Sequence, residues 1–186
     1  MLDLAPIECL KGSIIVSTPM LAGCLFEECV IYIYDHSPKW GTQGIVINRT
    51  TDLTVLDLLE KMELFCQDLE LDFPLYHGGP VEENGIAMVH TGEWFSSNTR
   101  PVTSDISISS DQFMIEKLVD GNAPANWLMS AGKCEWEPGE IEQEIAAGCW
   151  LCATASEEML FSSTDNDSQW SIAIEYCTKQ AVDSWL

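Results

Sequence analysis

The sequence predicts a mixed α+β domain, because strand-like and helix-like segments alternate along it without a regular repeat. The run 29–35 consists largely of β-branched and aromatic side chains, which is typical of a buried strand. After Thr54, leucines recur at helical spacing. We expect one compact domain over residues 1–186, with its core at about 10–178.

Eight strands are predicted from β-branched and alternating patterns. They cover residues 13–17, 29–35, 45–47, 75–81, 86–91, 106–108, 127–131 and 149–155. A turn at 41–44 is expected to lead into the strand at 45–47, since the glycines at both of its ends tolerate positive φ.

Four helices are predicted from capping residues and apolar stripes. They are expected to begin at Thr54, Ser109, Pro138 and Asp165. Ser109 and Gln112 have the spacing of a capping box, and the helix that follows them is expected to bury Phe113.

The formal net charge of −22, with only two arginines, disfavours whole classes of partner. Affinity for DNA or RNA comes largely from neutralised phosphates, and anionic membranes attract basic segments. We therefore expect neither direct nucleic-acid binding nor membrane binding. Basic proteins, basic peptides and cations remain compatible partners, although the charge can also serve solubility alone.

Residues 1–19 have no basic segment followed by an apolar run, and no apolar stretch approaches 18 residues. The expected location is therefore the cytoplasm, with the eight cysteines reduced.

Motifs that would identify a reaction are not found. The chain contains no P-loop, no G-x-G-x-x-G and no G-x-S-x-G nucleophile elbow. Cys149 and Cys152 form a C-x-x-C in a segment that itself has a strand pattern, which favours core packing over a zinc or redox site. We expect no catalytic residue, no metal site and no cofactor.

A candidate ligand-binding recess is predicted where apolar strands end in polar or glycine-rich residues. There, backbone N–H groups have no partner in a neighbouring strand. An arginine guanidinium beside glycine N–H groups would suit a carboxylate or a phosphate. Its residues are Asn48, Arg49, Gly78, Gly79 and Pro80, bordered by His36 and His90. In the alternative interpretation, Arg49 only ties adjacent loops together or pairs with Asp52 or Asp57.

Several motifs, in a fixed order, make the chain resemble the YqgE/AlgH family of bacterial proteins. The matching segments are 17–20, 26–32, 41–49, 78–81, 136–142 and 149–151, together with His36 and the Val89-His90 pair. Thr50 stands where the family usually has proline, and Cys29 where serine is common.

The resemblance implies an α+β domain whose bent mixed sheet closes into a pseudo-barrel with flanking helices. It implies no established activity and supplies no catalytic residues. Some members are described as regulators of alginate gene expression, and most are uncharacterised.

Two functional hypotheses follow. In the first, a cytosolic, non-enzymatic protein acts through a protein or small-ligand partner, with a regulatory role. In the second, an enzyme acts on a small polar or anionic substrate near Arg49 and the Gly78-Gly79 turn. The lack of a recognisable nucleophile, base or metal set favours the first.

The charge generates a direct test. We expect no salt-sensitive binding to duplex DNA at micromolar protein and physiological salt, because few cations are present to neutralise phosphates. An electrophoretic mobility shift that weakens steeply with added salt would contradict this expectation.

Overall fold

The computed structural model describes residues 9–64, 73–161 and 166–183, and ten strands and five α-helices lie within them. The strands are β1 Ser13–Ser17, β2 Val30–Ser37, β3 Gly41–Val46, β4 Thr50–Thr54, β5 Pro74–His77, β6 Val81–Thr91, β7 Arg100–Pro101, β8 Ile106–Ser109, β9 Trp127–Trp136 and β10 Trp150–Thr154. The helices are α1 Val55–Lys61, α2 Gln112–Val119, α3 Glu140–Ala146, α4 Glu157–Phe161 and α5 Asn166–Asp183. Within these ranges, none of the helices combines the length and apolar character that a bilayer-spanning helix requires.

The chain divides into two compact units. The first contains residues up to Asn48 together with those from Cys134 onward, and the second contains Arg49–Lys133. Strands and helices occur in both units, so the predicted α+β class is confirmed. The extent of a single domain over residues 1–186 stays a prediction.

The first unit is built on an antiparallel sheet in the order β10, β1, β2, β3 and the last residues of β9. Its apolar cluster includes Ile15, Ile31 and Ile33, which are fully buried, with Trp136 and Trp150 beside them. Helix α5 is tied to β1 because the Trp170 indole N–H donates to the carbonyl of Ser17 at 2.9 Å.

The second unit has a mixed sheet. Strands β7, β8, β6 and β9 are antiparallel neighbours, whereas β5 pairs with β9 in parallel and carries β4 on its other edge. Its apolar cluster includes Val55 and Leu59 of α1, Met114 and Leu118 of α2, and Met129 of β9. Burial of these side chains holds both helices to the sheet.

The starts of α1 and α2 follow capping chemistry, whereas α3 begins at Glu140 after Gly139, which has no side-chain cap, rather than at the predicted Pro138. Thr54 and Asp57 form a capping box at α1, as predicted for Thr54. At α2 the predicted cap at Ser109 is wrong: Asp111 caps the helix, because its carboxylate accepts a hydrogen bond from the Met114 N–H at 2.9 Å. The cap predicted at Asp165 lies outside the described residues.

The predicted turn at 41–44 is also wrong, because Gly41–Val46 is strand throughout. Gly44 lies opposite Ile33, and a Cβ on it would come 2.7 Å from the Cγ2 of Ile31. A glycine thus fits here because two strands pack closely, and the sequence alone does not distinguish this use of glycine from a turn.

Asn48 fixes the start of β2. The side chain is 4% exposed, and its oxygen accepts from the Val30 N–H at 2.8 Å. Its amide group donates to the carbonyl of Glu28, also at 2.8 Å. Glu28 has a positive φ of 51°, so the amide holds the chain in an unfavourable conformation just before the strand.

A chain of hydrogen bonds surrounds His90 in the second unit. Its Nδ1 lies 2.9 Å from the Thr91 carbonyl, which can only accept, so Nδ1 carries the proton and Nε2 accepts from the Ser109 hydroxyl at 2.9 Å. The Thr99 hydroxyl then donates to Ser109 at 2.6 Å and accepts from the Ser96 N–H. Every donor in this series of hydrogen bonds has an acceptor only while His90 is neutral.

Replacing Asn48 by alanine should lower the free energy of unfolding by about 1–3 kcal/mol for each orphaned buried partner. The Val30 N–H and the Glu28 carbonyl both lose their hydrogen bonds. Urea denaturation of the wild type and Asn48→Ala measures the loss, with Asn84→Ala, at an exposed position, as the control. Equal stability of wild type and Asn48→Ala would show that the amide is dispensable.

Acidification should destabilise the protein through His90. Burial lowers the pKa of His90, while the hydrogen bond to Thr91 and the charge of Glu93 act in the opposite direction. Above the unfolded pKa of about 6.5 its contribution to stability is complete. As the pH falls below that value, the unfolded chain binds the proton first and the contribution is lost.

Unfolding free energies measured between about pH 5 and 7 test this linkage. The wild type should lose more stability on acidification than His90→Asn, in which His36 and His77 are unchanged. Parallel pH profiles for the two proteins would exclude the proposed linkage.

Candidate functional site

Arg49 and the Gly78-Gly79 segment are neighbours in the second unit. The carbonyl of Arg49 accepts from the N–H of His77 at 2.8 Å, directly before Gly78. Strands β4 and β5, which follow and precede these residues, are paired. The structure therefore brings the Arg49 backbone beside the glycine pair, as expected.

The two glycines are buried against β9 and do not line an open surface. The N–H of Gly78 donates to the carbonyl of Ala131 at 2.7 Å, and a Cβ on Gly78 would collide with the carbonyl oxygen of Gly132. Close backbone packing is therefore a sufficient reason for glycine at 78. Pro80 is exposed, and ligand binding by Arg49, Gly78, Gly79 and Pro80 stays a prediction.

The side chain of Asn48 is fully hydrogen-bonded inside the first unit, and that of His90 inside the second. Both groups of the Asn48 amide bind backbone, and both ring nitrogens of His90 are hydrogen-bonded. These occupied hydrogen bonds give Asn48 and His90 a structural role in the described chain.

His36, in the first unit, is different. Its Nδ1 lies 2.8 Å from the Thr42 hydroxyl, while Nε2 lies 3.7 Å from the Glu142 Oε1. The side chain is 2% exposed, yet Nε2 and the Glu142 Oε2 have no hydrogen-bond partner among the described residues. This pair joins two family segments through an imidazole and a carboxylate.

Glu144 connects the segments that contain Trp136 and Trp150, and sequence reasoning missed it. One oxygen, Oε2, accepts from the indole N–H of Trp136 at 3.1 Å and from that of Trp150 at 2.7 Å. The two indoles lie edge to face with centroids 6.2 Å apart, and Phe26 stacks on Trp136 at 6.3 Å. The available signal was that two buried indoles need an acceptor.

An exposed aromatic patch lies in the second unit and was also missed. It consists of Phe95, Phe113 and Lys117, and we call it the aromatic patch. Phe95 is 69% and Phe113 46% exposed, so the predicted burial of Phe113 is wrong. The Lys117 ammonium lies 4.5 Å from the Phe95 ring centroid and 5.4 Å from that of Phe113.

The loop that carries Phe95 is held at several points. Lys117 Nζ donates to the carbonyl of Phe95 at 2.6 Å, and the hydroxyl of Ser96 donates to the Asp111 carboxylate at 2.6 Å. The other oxygen of Asp111 accepts from the N–H of Asn98 at 3.0 Å. Burial opposes the charged form of Asp111, but these hydrogen bonds and the helix cap outweigh it and lower the pKa of that carboxyl.

Asp111 thus caps α2 and anchors the loop with one carboxylate. The exposed ring of Phe95 is displayed from a fixed backbone. The sequence signal was an adjacent Trp94-Phe95 pair inside an otherwise polar segment.

Two cysteines of the described chain, Cys152 and Cys177, lie where burial disfavours the thiolate. All seven in the described chain are free thiols, and burial raises the pKa of Cys152 to about 12 and that of Cys177 to about 11. Cys149 and Cys152 pack against the apolar cluster of the first unit. Among the described residues, no three His, Cys, Asp or Glu side chains converge as metal ligands.

Comparisons with known proteins give one consistent result. The AlgH-like family matches residues 14–181. A UPF0301 protein of Allorhizobium ampelinum is 32% identical, covering 89% of this chain and 86% of the relative. A UPF0301 protein of a Marinomonas species is 34% identical, covering 88% and 86%.

A solved structure agrees with these sequence matches. The AlgH protein of Pseudomonas aeruginosa superimposes with a TM-score of 0.75 at 25% identity, covering 94% of this chain and 92% of that protein. The order of the motifs, the α+β fold and the length of the matches lead to one conclusion: this chain belongs to the AlgH-like family.

Proposed function

We propose that this protein is a cytosolic, non-enzymatic binding protein that acts through a protein partner, with a regulatory role. The aromatic patch is the surface that it presents to that partner. The observation that carries the proposal is the 69% exposure of Phe95 on a loop anchored by Asp111 and Lys117.

Exposed aromatic side chains are frequent anchors of protein interfaces, because one ring buries a large area when it enters a socket on the partner. Ordering a loop on binding costs free energy. Here the backbone around Phe95 is already held by hydrogen bonds, so this cost is reduced.

Lys117 has a positioning role in the patch. Its ammonium contacts both rings and the Phe95 carbonyl, so it fixes the spacing of the two aromatic side chains. The net charge of −22 would repel an acidic partner at long range and attract a basic one. The partner that fits best has an apolar socket surrounded by basic residues.

Alanine at Phe95 or Phe113 should weaken capture of the partner at least about tenfold, the loss typical of an interface anchor. The measurement is quantitative affinity capture from lysate of the source cells at low and high salt. Capture should also weaken with salt, since the attraction is screened.

Trp40→Ala is the matched control. Trp40 is 78% exposed and also has a lysine ammonium over its ring, that of Lys39 at 4.3 Å, but it belongs to the first unit. Thermal melts establish that all three variants are folded. Identical capture by wild type, Phe95→Ala and Phe113→Ala would rule out the aromatic patch as the binding surface.

A further inference from the structure

Two faces of helix α5 make different contacts. One face packs on the sheet of the first unit through Ala173 and Cys177, which are 0% and 2% exposed. A second stripe includes Ile172, Tyr176 and Lys179, which recur at intervals of three to four residues. This stripe faces α4 across a cleft of about 390 Å³.

The cleft combines an apolar floor with charged walls. Met159 of α4 and Ile172 of α5 line it, and Ile172 is 44% exposed although it is aliphatic. Glu158 and Glu175 supply two carboxylates, whereas Lys179 supplies one ammonium. The lining therefore carries an excess of negative charge around apolar surface.

The walls are fixed by hydrogen bonds to the ends of neighbouring elements. The Ser156 hydroxyl accepts from the Met159 N–H at 3.2 Å, and the buried Gln169 side chain donates to the Met159 carbonyl at 3.3 Å. The Tyr176 hydroxyl donates to the Thr154 carbonyl at 2.9 Å, so the ring edge is anchored. A ligand would enter a cleft that is already formed.

We propose that this cleft binds a small organic cation, an aliphatic ammonium or guanidinium compound. A volume of about 390 Å³ falls in the usual range for small-molecule sites. An aliphatic stem would lie on Met159 and Ile172, while the cationic head would reach Glu158 or Glu175 and the face of Tyr176. This site is separate from the aromatic patch, and it does not depend on the proposed function.

Hexylamine is the probe, and hexanoate, of equal chain length and opposite charge, is its control. Titration into the ¹⁵N-labelled protein should shift backbone amides of α4 and α5 with hexylamine and leave them unmoved with hexanoate. Equal shifts with the two compounds would overturn the proposal, because apolar contact alone would then explain binding.

Four variants locate the contacts. Glu175→Gln and Ile172→Ser should each weaken hexylamine binding about tenfold, since one removes a charged partner and the other the apolar floor. Glu157→Gln and Val182→Ser, at exposed positions on the same two helices outside the cleft, should bind as the wild type does. Unchanged affinity in Glu175→Gln and Ile172→Ser would place the amine elsewhere on the acidic surface.

N-acetyl-lysine methylamide carries the same ammonium on a peptide backbone. Weaker binding than hexylamine would assign the cleft to free amines, as proposed. Tighter binding would overturn that assignment in favour of a lysine side chain from another protein.

Discussion

A single buried amide, that of Asn48, determines how the central strands of the first unit begin and end. It joins Asn48, two residues after β3, to Val30 at the start of β2 and to Glu28 two residues before that strand, through one accepted and one donated hydrogen bond. Burial makes these bonds consequential, because an unsatisfied peptide group away from water costs about 1–3 kcal/mol. Asn48 lies just beyond the β2–β3 pairing, which also places His36 opposite Thr42.

The same principle explains why three residues of the predicted recess, Asn48, Gly78 and His90, make structural contacts. Polar residues at strand ends have unpaired backbone groups nearby, so they suit a ligand or a structural bridge equally well. Asn48 and His90 are used as bridges, and Gly78 is needed for close packing against the backbone at Gly132. The family motifs in this chain therefore record packing constraints more clearly than they record chemistry.

The candidate binding surfaces consist of residues outside those motifs. The loop around Phe95 is held by Asp111 and Lys117, and the α4–α5 cleft is lined by a second stripe of α5. In both places an apolar side chain remains exposed beside a rigid polar framework. This combination supplies contact area and charge, which suit recognition of a partner or a ligand.

The sequence by itself determined the elements whose signals are local. Strand β1 matches its predicted bounds, Thr54 caps α1, and the predicted strand at 127–131 is the first half of β9. Alternation, capping and helical spacing act over a few residues, so they are readable without a fold. Other features became evident only in the tertiary structure. Gly44 allows two strands to pack closely, and Asp111 rather than Ser109 caps α2. Phe113 is exposed to solvent, and Glu144 accepts hydrogen bonds from two indoles. These outcomes depend on which groups meet in the folded chain: Gly44 packs against β2, and Asp111 also binds Ser96 and Asn98. Local sequence patterns do not show which groups will compete for the same donor, acceptor or space.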